Sequence, residues 1–334
     1  MIHAFDTKVC APVREHLGRP VRLPSVGTWS LEHERGTPVL RLELSAAELG
    51  HNLQTDRAAA PFFLMCFAYW YGRVQDIEPR LRVDIGGSVP TRTGPLRHYR
   101  RAWIALEAME EALGERLAIS GAPAERWPPC TVLNAPRVAR ATTAANTTGA
   151  EHQVEVLLTR DAHLADEFST RFAPITGFRR QLPLGLFDGE VSGKRHWTPG
   201  GGAQADLWST SPDGSVFHLF ELKVRGNAKV GVLPELLAYL WILHRVRVGW
   251  PDGRAVIGGG PGAEAARGAS RIAGWIVAPH LHPLLLGDGR SPLEWVADGL
   301  SGRIELGVAP FDDGGEKTAF NTWRSDAAWP STGR

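Results

Sequence analysis

Three charged side chains occur in two strand-like runs of the sequence that are otherwise largely apolar. Asp206 lies in residues 203–210, and Glu221 and Lys223 lie in residues 215–224. Two carboxylates that converge from neighbouring strands offer the oxygen ligands that Mg2+ and Mn2+ prefer. Such an ion would screen the charge of a phosphodiester and lower the pKa of a bound water, and a lysine ammonium beside it could orient that water. The three residue types therefore predict metal-dependent hydrolysis of a phosphodiester.

The two runs are joined by Ser-Pro-Asp-Gly at 211–214, which is a strong turn signal, so they predict a β-hairpin. If the turn centres on residues 213 and 214, Asp206 faces Glu221. If it centres one residue earlier, Asp206 faces Leu219 and Glu221 is the diagonal neighbour. Either register places Asp206, Glu221 and Lys223 on one face of the sheet, because opposed residues share a face and so do alternate residues of a strand.

The elements on either side of the hairpin must hold it in place. Hydrophobic periodicity and capping signals predict a helix over 161–172, an extended segment over 177–187, an apolar-faced helix over 230–247, and strands over 271–278 and 303–308. The predicted order is one helix, three strands, one helix and one strand, with a further strand at the end.

Asp206, followed after a spacer by Glu221-Leu222-Lys223 between an apolar strand and an amphipathic helix, resembles the PD-(D/E)xK nuclease superfamily. The resemblance covers about residues 150–310, and Ala205 stands where the proline of the family name would be. It implies an α/β fold with a three-layer, restriction-endonuclease-like core and a mixed central sheet. It also implies a nuclease, in particular an endonuclease, that requires Mg2+ or Mn2+ and usually acts on DNA.

The resemblance also implies roles for individual residues. Asp206, Glu221 and the main-chain carbonyl of Leu222 correspond to metal ligands, and Lys223 corresponds to the catalytic lysine. Many members supply another acid from the helix before the first core strand. The candidates for that acid are Glu167 and, behind it, Glu155. Residues expected to surround the ligands are Gln181 in the preceding strand and the i, i+4 pair Glu235 and Tyr239 on the following helix.

Basic and aromatic residues near the predicted site suggest contact with nucleic acid. The loop 192–202 contains Lys194, Arg195 and Trp197, and Lys229 precedes the second helix, a set that suits phosphate contact and base stacking. Residues 171–247 hold ten basic and six acidic side chains, although the whole chain has 37 basic and 36 acidic ones. A nearly neutral chain with local positive charge is consistent with a phosphate-binding cleft and excludes a uniformly cationic binder.

The segment ATTAANTTG at 141–149 predicts a domain boundary, with an α+β domain over 1–145 and the nuclease-like domain over 150–334. We expect the first domain to serve recognition, dimerisation or control. Its basic cluster at 97–101 is interpreted as a solvent-exposed helix face with Tyr99 turned inward. A homodimer would give double-strand cleavage two sites, and a partner subunit is the other arrangement that the sequence leaves open.

Three scattered cysteines without a Cys-x-x-Cys pair exclude a disulfide scaffold and a zinc knuckle, and they favour the cytoplasm. The longest uncharged stretch, residues 58–72, is shorter than the roughly 18–20 residues that span a bilayer, so it predicts a buried helix and no membrane partner. The resemblance suggests a setting in restriction, repair or defence against phage.

Two other functions fit parts of the sequence. A non-catalytic nucleic-acid-binding or scaffolding subunit could keep a degenerate nuclease fold. Gly258, Gly260 and Ala263 also match the G-x-G-x-x-A fingerprint of flavin or nicotinamide oxidoreductases. No acid stands near position 278, where that fingerprint requires one, so a Gly-rich insertion is the favoured interpretation of the segment.

Overall fold

The computed structural model describes residues 2–121, 131–133, 149–199, 204–225, 229–249, 256–257, 260–285, 291–315, 320 and 322–324. Within these residues the chain is a mixed α/β protein. The helices are α1 (Ile2–Phe5), α2 (Ala11–Leu17), α3 (Ala46–Leu49), α4 (Asp56–Gln75), α5 (Thr93–Leu113), α6 (Ala150–Arg160), α7 (Ala162–Arg171), α8 (Val232–Val248), α9 (Pro261–Gly268) and α10 (Pro292–Gly299), with a π-helical segment at Asp6–Cys10 and a 3-10 turn at Gly114–Arg116.

The strands fall into sheets of four, three and six members among the described residues. The strands are β1 (Thr28–Glu34), β2 (Thr37–Ser45), β3 (Arg80–Gly86), β4 (Leu117–Ser120), β5 (Thr131–Leu133), β6 (Arg179–Pro183), β7 (Leu186–Asp188), β8 (Gln204–Thr210), β9 (Val216–Leu222), β10 (Val256–Ile257), β11 (Arg271–Ala278), β12 (Ile304–Asp312) and β13 (Thr322–Trp323). Their order is β1-β2-β3-β4 in the first sheet, β10-β5-β7 in the second and β13-β12-β11-β9-β8-β6 in the third.

The six-stranded sheet carries the predicted site. Strand β8 runs antiparallel to both β6 and β9, and β11 pairs in parallel with both β9 and β12. A parallel pair requires a crossover, and α8 lies in the connection between β9 and β11. The predicted order of one helix, three strands, one helix and one strand is found in α7, β6, β8, β9, α8 and β11, with β12 as the further strand. The prediction missed α6, β10, α9 and α10, and the extended segment predicted over 177–187 is divided between β6 and β7, which belong to different sheets.

Helices cover both faces of this sheet, because each face buries apolar side chains. On one face Phe168 of α7 packs at ring-centroid distances of 5.4 Å from Phe220 and 5.1 Å from Trp275. On the other face α8 packs so closely that a Cβ on Gly274 of β11 would lie 2.3 Å from Leu240. The sheet thus lies between α7 and α8.

The two halves of the chain share one hydrophobic cluster. It contains Phe62, Leu106 and Met109 from the first half and Leu237 and Val296 from the second. The stretch Ala58–Gly72 forms the buried part of α4, as predicted. The predicted boundary at 141–149 falls almost entirely on residues outside those that the structure describes, so the division into two domains stays a prediction.

The described helices can be compared with the requirements of a membrane span. None of them combines the length and the apolar character that crossing a bilayer requires.

Candidate active site

The hairpin of β8 and β9 sets the position of the first acid. Leu207 pairs with Phe220, so the next position in the same register places Asp206 opposite Glu221. The main-chain N–H of Leu222 donates to Asp206 Oδ2 at 2.7 Å. Of the two registers that the sequence allowed, the structure has the one in which the turn centres on residues 213 and 214.

Lys223 lies between two carboxylates in the interior of the protein. Its Nζ donates to Glu221 Oε1 at 2.6 Å and lies 3.7 Å from Glu235 Oε2. Lys223 is 2% exposed, Glu221 is 3% exposed and Glu235 is 5% exposed. Glu235 reaches the lysine because it lies in the first turn of α8, the helix that follows β9 in the chain. The structure therefore brings Asp206, Glu221, Lys223 and Glu235 together.

Two residues of the first half complete this cluster. Arg101 of α5 donates to Glu235 Oε1 at 2.9 Å, and Gln54 donates through Nε2 to Glu235 Oε2 at 2.6 Å. Arg101 is only 4% exposed, so the interpretation of the basic cluster at 97–101 as a solvated face was wrong, although Tyr99 is buried as expected. Arg101 lies between buried Tyr99 and Trp103 in α5, but nothing in the sequence links it to Glu235.

Burial and crowding shift the ionisation of these groups. Burial raises the pKa of Asp206 to about 7, although Lys223 and the Leu222 N–H oppose the shift. Burial, followed by the charges of Asp206 and Glu235, raises the pKa of Glu221 well above its usual value. Burial alone would lower the pKa of Lys223, but Glu221, Glu235 and Asp206 together raise it. Lys223 therefore stays protonated, and the carboxylates repel one another.

The pKa of Glu235 shifts in the opposite direction from those of Asp206 and Glu221. Burial would raise its pKa, but Arg101 and then Lys223 favour the charged form and lower it. Burial raises the pKa of Tyr239, whose ring lies 4.5 Å from the Arg101 guanidinium carbon. Tyr239 therefore packs against Arg101, the residue that holds Glu235. Tyr239 thus surrounds the cluster, as the sequence predicted.

Neither predicted candidate for the additional acid contacts Asp206, Glu221 or Lys223. Glu167 lies on α7 beside the opposite face of the sheet, and its carboxylate is 3.6 Å from Nε2 of His163. Glu155 forms an ion pair with Arg180, which donates to both carboxylate oxygens of Glu155. Glu151, one turn before Glu155, is instead close enough for its charge to raise the pKa of Asp206. The sequence signal for it was the acid in the first turn of α6.

Gln181 occupies the strand next to Asp206. The β6–β8 ladder pairs Arg180 with Leu207 and Leu182 with Ala205, so Gln181 falls at the level of Asp206. It has a φ of 50°, an unfavourable value for a residue with a side chain, and its side chain is exposed. Gln181 is therefore near the site in register, but it is not part of the buried cluster.

The residues predicted to contact nucleic acid differ in their exposure to solvent. Lys194 and Lys229 are exposed, and Arg195 is exposed with a distant partner, Asp188, at 3.8 Å. Trp197, which was predicted to stack on a base, does not present a free ring face. It is 5% exposed, and the Arg100 guanidinium carbon lies 3.3 Å from its ring centroid, so the ring is already covered.

The donor set can be tested for a divalent ion. Among the described residues no group of three or more His, Cys, Asp or Glu side chains is arranged to hold a metal. However, Oε2 of Glu221 is buried and has no hydrogen-bond partner. If ionised, the acids Glu151, Asp206, Glu221 and Glu235 carry four negative charges against the two positive charges of Lys223 and Arg101. A divalent cation would balance this excess and give Glu221 Oε2 a partner, so the residues fit the predicted ion.

The residues of the oxidoreductase fingerprint do not contribute side chains to this cluster. Gly258 is outside the described residues, Gly260 has a φ of 93° and Ala263 is buried in α9. The strand before them, β10, has two residues and is the edge of the three-stranded sheet. A dinucleotide fingerprint requires a strand within a parallel α/β sheet, so the geometry is consistent with the alternative interpretation as an insertion.

Searches against protein-family models, curated proteins and solved structures found no match to the chain. The candidate site therefore depends on its own geometry and on the residue pattern described above.

Proposed function

We propose that this protein is a divalent-metal-dependent nuclease that hydrolyses phosphodiester bonds in DNA, as an endonuclease. The observation that carries the proposal is the unpartnered, buried Oε2 of Glu221 directly opposite Asp206, with an ammonium 2.6 Å from the other oxygen. Two carboxylates and a lysine at adjacent positions of a hairpin are the arrangement that the PD-(D/E)xK resemblance implies. The strand order of the six-stranded sheet, with helices on both faces, supports the same resemblance to a three-layer core.

Each residue has a distinct role in this proposal. Asp206 and Glu221 would hold Mg2+ or Mn2+, with the Leu222 carbonyl as a further ligand. The ion, when bound, would supply a water of lowered pKa and charge stabilisation at the phosphate. Lys223 would orient the attacking water and stabilise negative charge, because its pKa is raised and it stays protonated. Glu235 holds Lys223 in place, and it is itself held by Arg101 and Gln54.

The experiment compares cleavage of plasmid, single-stranded DNA and RNA in Mg2+, Mn2+ or EDTA. We expect DNA cleavage only with metal, and losses of at least about a hundredfold in Asp206→Asn and Lys223→Ala. The amide introduced by Asp206→Asn keeps an acceptor for the Leu222 N–H, so the loss of activity in that variant would report on charge. Glu190→Gln, an exposed acid in the same half, is the matched control and should retain full activity. Metal-dependent cleavage that survives both site variants would overturn the assignment.

One observation favours a second function. Glu221, Lys223, Glu235 and Arg101 are each no more than 5% exposed, so the ion network could simply hold a non-catalytic nucleic-acid-binding or scaffolding subunit together. Binding of Mn2+ by calorimetry separates the two functions. The nuclease requires binding that Asp206→Asn abolishes, whereas the scaffold binds nucleic acid equally well in EDTA and cleaves none of the three substrates.

A further inference from the structure

A cavity lies beside the first turn of α4, and none of Asp206, Glu221 and Lys223 lines it. It has a volume of about 760 Å³ and is bounded by residues from both halves of the chain. The charged and titratable residues of its wall are Arg22, His51, Asp56, Arg57, Lys229 and His282. We propose that this cavity binds a nucleoside phosphate, either a free mononucleotide or the end of a nucleic-acid strand.

The charge of the wall selects an anion. Arg22, Arg57 and Lys229 supply three positive charges against the one negative charge of Asp56. Arg57 is partly engaged, since its Nη1 lies 3.5 Å from Glu48 Oε2. Arg22 and Lys229 are exposed, and neither is paired with a carboxylate of any residue that the structure describes. Two cations thus remain for a ligand, and guanidinium and ammonium groups both bind phosphate oxygens.

The backbone adds donors at the same place. Helix α4 is 20 residues long, and its N-cap, Thr55, makes no side-chain capping bond. Thr55, Asp56 and Arg57 all line the cavity, so the first-turn N–H groups and the positive end of the helix dipole lie at its wall. The helix terminus therefore strengthens an anion site that the side-chain charges already define.

His282 contributes a neutral donor. The main-chain N–H of Leu284 donates to Nδ1 of His282 at 3.2 Å, so the neutral ring carries its proton on Nε2. The ring packs edge-on against Phe63 with centroids 5.8 Å apart. Phe63, Pro20 and Val26 add apolar groups to the wall of the cavity.

The size of the cavity decides between phosphate alone and a larger ligand. Small-molecule sites in proteins have volumes of about 300–1,000 Å³, and a nucleotide combines an anionic end with an apolar ring. A wall that contains three cations as well as Phe63, Pro20 and Val26 offers contacts to both ends of that ligand. Inorganic phosphate would use only the charged part.

Residues of the cavity wall are neighbours in the chain of residues that contact the acidic cluster. Gln54, which donates to Glu235, directly precedes the cavity residues Thr55 and Asp56, and Lys229 and Val230 lead into α8. Between them a Cβ on Gly231 would lie 2.5 Å from the Leu53 carbonyl oxygen, so the two segments are in close contact. A nucleotide in the cavity would thus lie beside the residues that hold Glu235, but its binding does not depend on cleavage.

The test measures binding in EDTA at low salt, where metal-dependent cleavage cannot occur. The probes are 5′-AMP, 5′-dTMP, inorganic phosphate, and a 12-nucleotide DNA with a 5′-phosphate or a 5′-hydroxyl, titrated by calorimetry. We expect the mononucleotides or the 5′-phosphorylated strand to bind more tightly than inorganic phosphate. Mononucleotide binding alone would identify a free nucleotide as the ligand, and preference for the 5′-phosphorylated strand would identify a strand end.

Variants locate the binding. Arg22→Ala and Lys229→Ala should each weaken the dissociation constant about tenfold, because each removes a charged contact to phosphate. The exposed residues Arg19 and Lys8 do not line the cavity, so Arg19→Ala and Lys8→Ala are the matched controls and should bind as wild type. All four positions are at the surface, so the variants should fold, which melting temperatures check. Absence of binding, equal affinity for inorganic phosphate, or binding unchanged in both cavity variants would overturn the proposal.

Discussion

The buried ammonium of Lys223 and the carboxylate of Glu221 depend on each other. Removing one member of a buried, hydrogen-bonded ion pair leaves an uncompensated charge, at a cost of about 3–5 kcal/mol. Lys223→Met should therefore lower the free energy of unfolding by about 3 kcal/mol, and Glu221→Gln/Lys223→Met should recover much of that loss. Urea unfolding at pH 8 measures both, with the exposed Lys8→Met as control. A double variant as unstable as the single one would show that the pair is not coupled.

His218 provides a pH-dependent test that does not involve the acids. It is buried on β9, and its Nδ1 accepts from Trp275 Nε1 at 3.1 Å. Burial lowers its pKa to about 4, below the value of about 6.5 in the unfolded chain. Between pH 6.5 and 4 the unfolded state binds the extra proton, so the stability is present above pH 6.5 and is lost as the pH falls towards 4.

The expected loss from His218 is roughly 3 kcal/mol at most across that range. His218→Asn keeps an acceptor near the position of Nδ1 but cannot titrate, so its stability should fall less than that of wild type on acidification. Unfolding free energies at pH 7, 5.5 and 4 compare the two proteins. If both lose the same amount, His218 does not stay neutral in the folded state.

At the scale of elements, the tight turn between β8 and β9 fixes which acids face each other. Gly214 has a φ of 72°, and Asp213 Oδ1 accepts from the Ser215 N–H and from the hydroxyls of Ser211 and Ser215. A β-branched residue is unfavourable at positive φ, by about 1–2 kcal/mol. Gly214→Val should therefore lower the free energy of unfolding by that amount and reduce metal binding at the acids.

The control for the turn variant is Gly193→Ala, because Gly193 is exposed and a Cβ there would have no atom within 4 Å. It should change stability by less than about 0.5 kcal/mol. Chemical denaturation and Mn2+ titration are measured on both variants. An unchanged stability in Gly214→Val would mean that the turn tolerates other backbone conformations and does not fix the register.

The hairpin, its flanking helix and the order of these elements along the chain could be predicted because their signals are local. Alternation, a four-residue turn and helical periodicity each extend over neighbouring residues, and they place Asp206, Glu221 and Lys223 on one face. Arg101 and Gln54 could not be found in this way, because 134 and 181 residues separate them from Glu235. Glu151 was missed for a related reason, since the choice among acids on two adjacent helices depends on which helix covers which face of the sheet.

At the scale of the molecule, the first half supplies part of the site and part of the core. Arg101 and Gln54 hold Glu235, α5 packs against both α8 and α10, and a Cβ on Gly299 would overlap the Ala112 carbonyl. A functional division at about residue 145 is thus compatible with a single cooperative fold. The buried ion pair across the halves makes the geometry around Lys223 depend on α5.

We expect the two halves to unfold together, and Arg101→Met to destabilise both. Loss of the arginine leaves Glu235 with less compensation in the interior, which should lower the free energy of unfolding by about 3 kcal/mol. Tryptophan fluorescence and far-UV circular dichroism should give one coincident urea transition in wild type and in the variant, shifted to lower urea in the variant. Arg73→Ala, an exposed arginine at the end of α4, should leave the midpoint unchanged. Two separate transitions, of which Arg101→Met shifts only one, would instead show that the halves are independent domains and that the contact between Arg101 and Glu235 adds little to either.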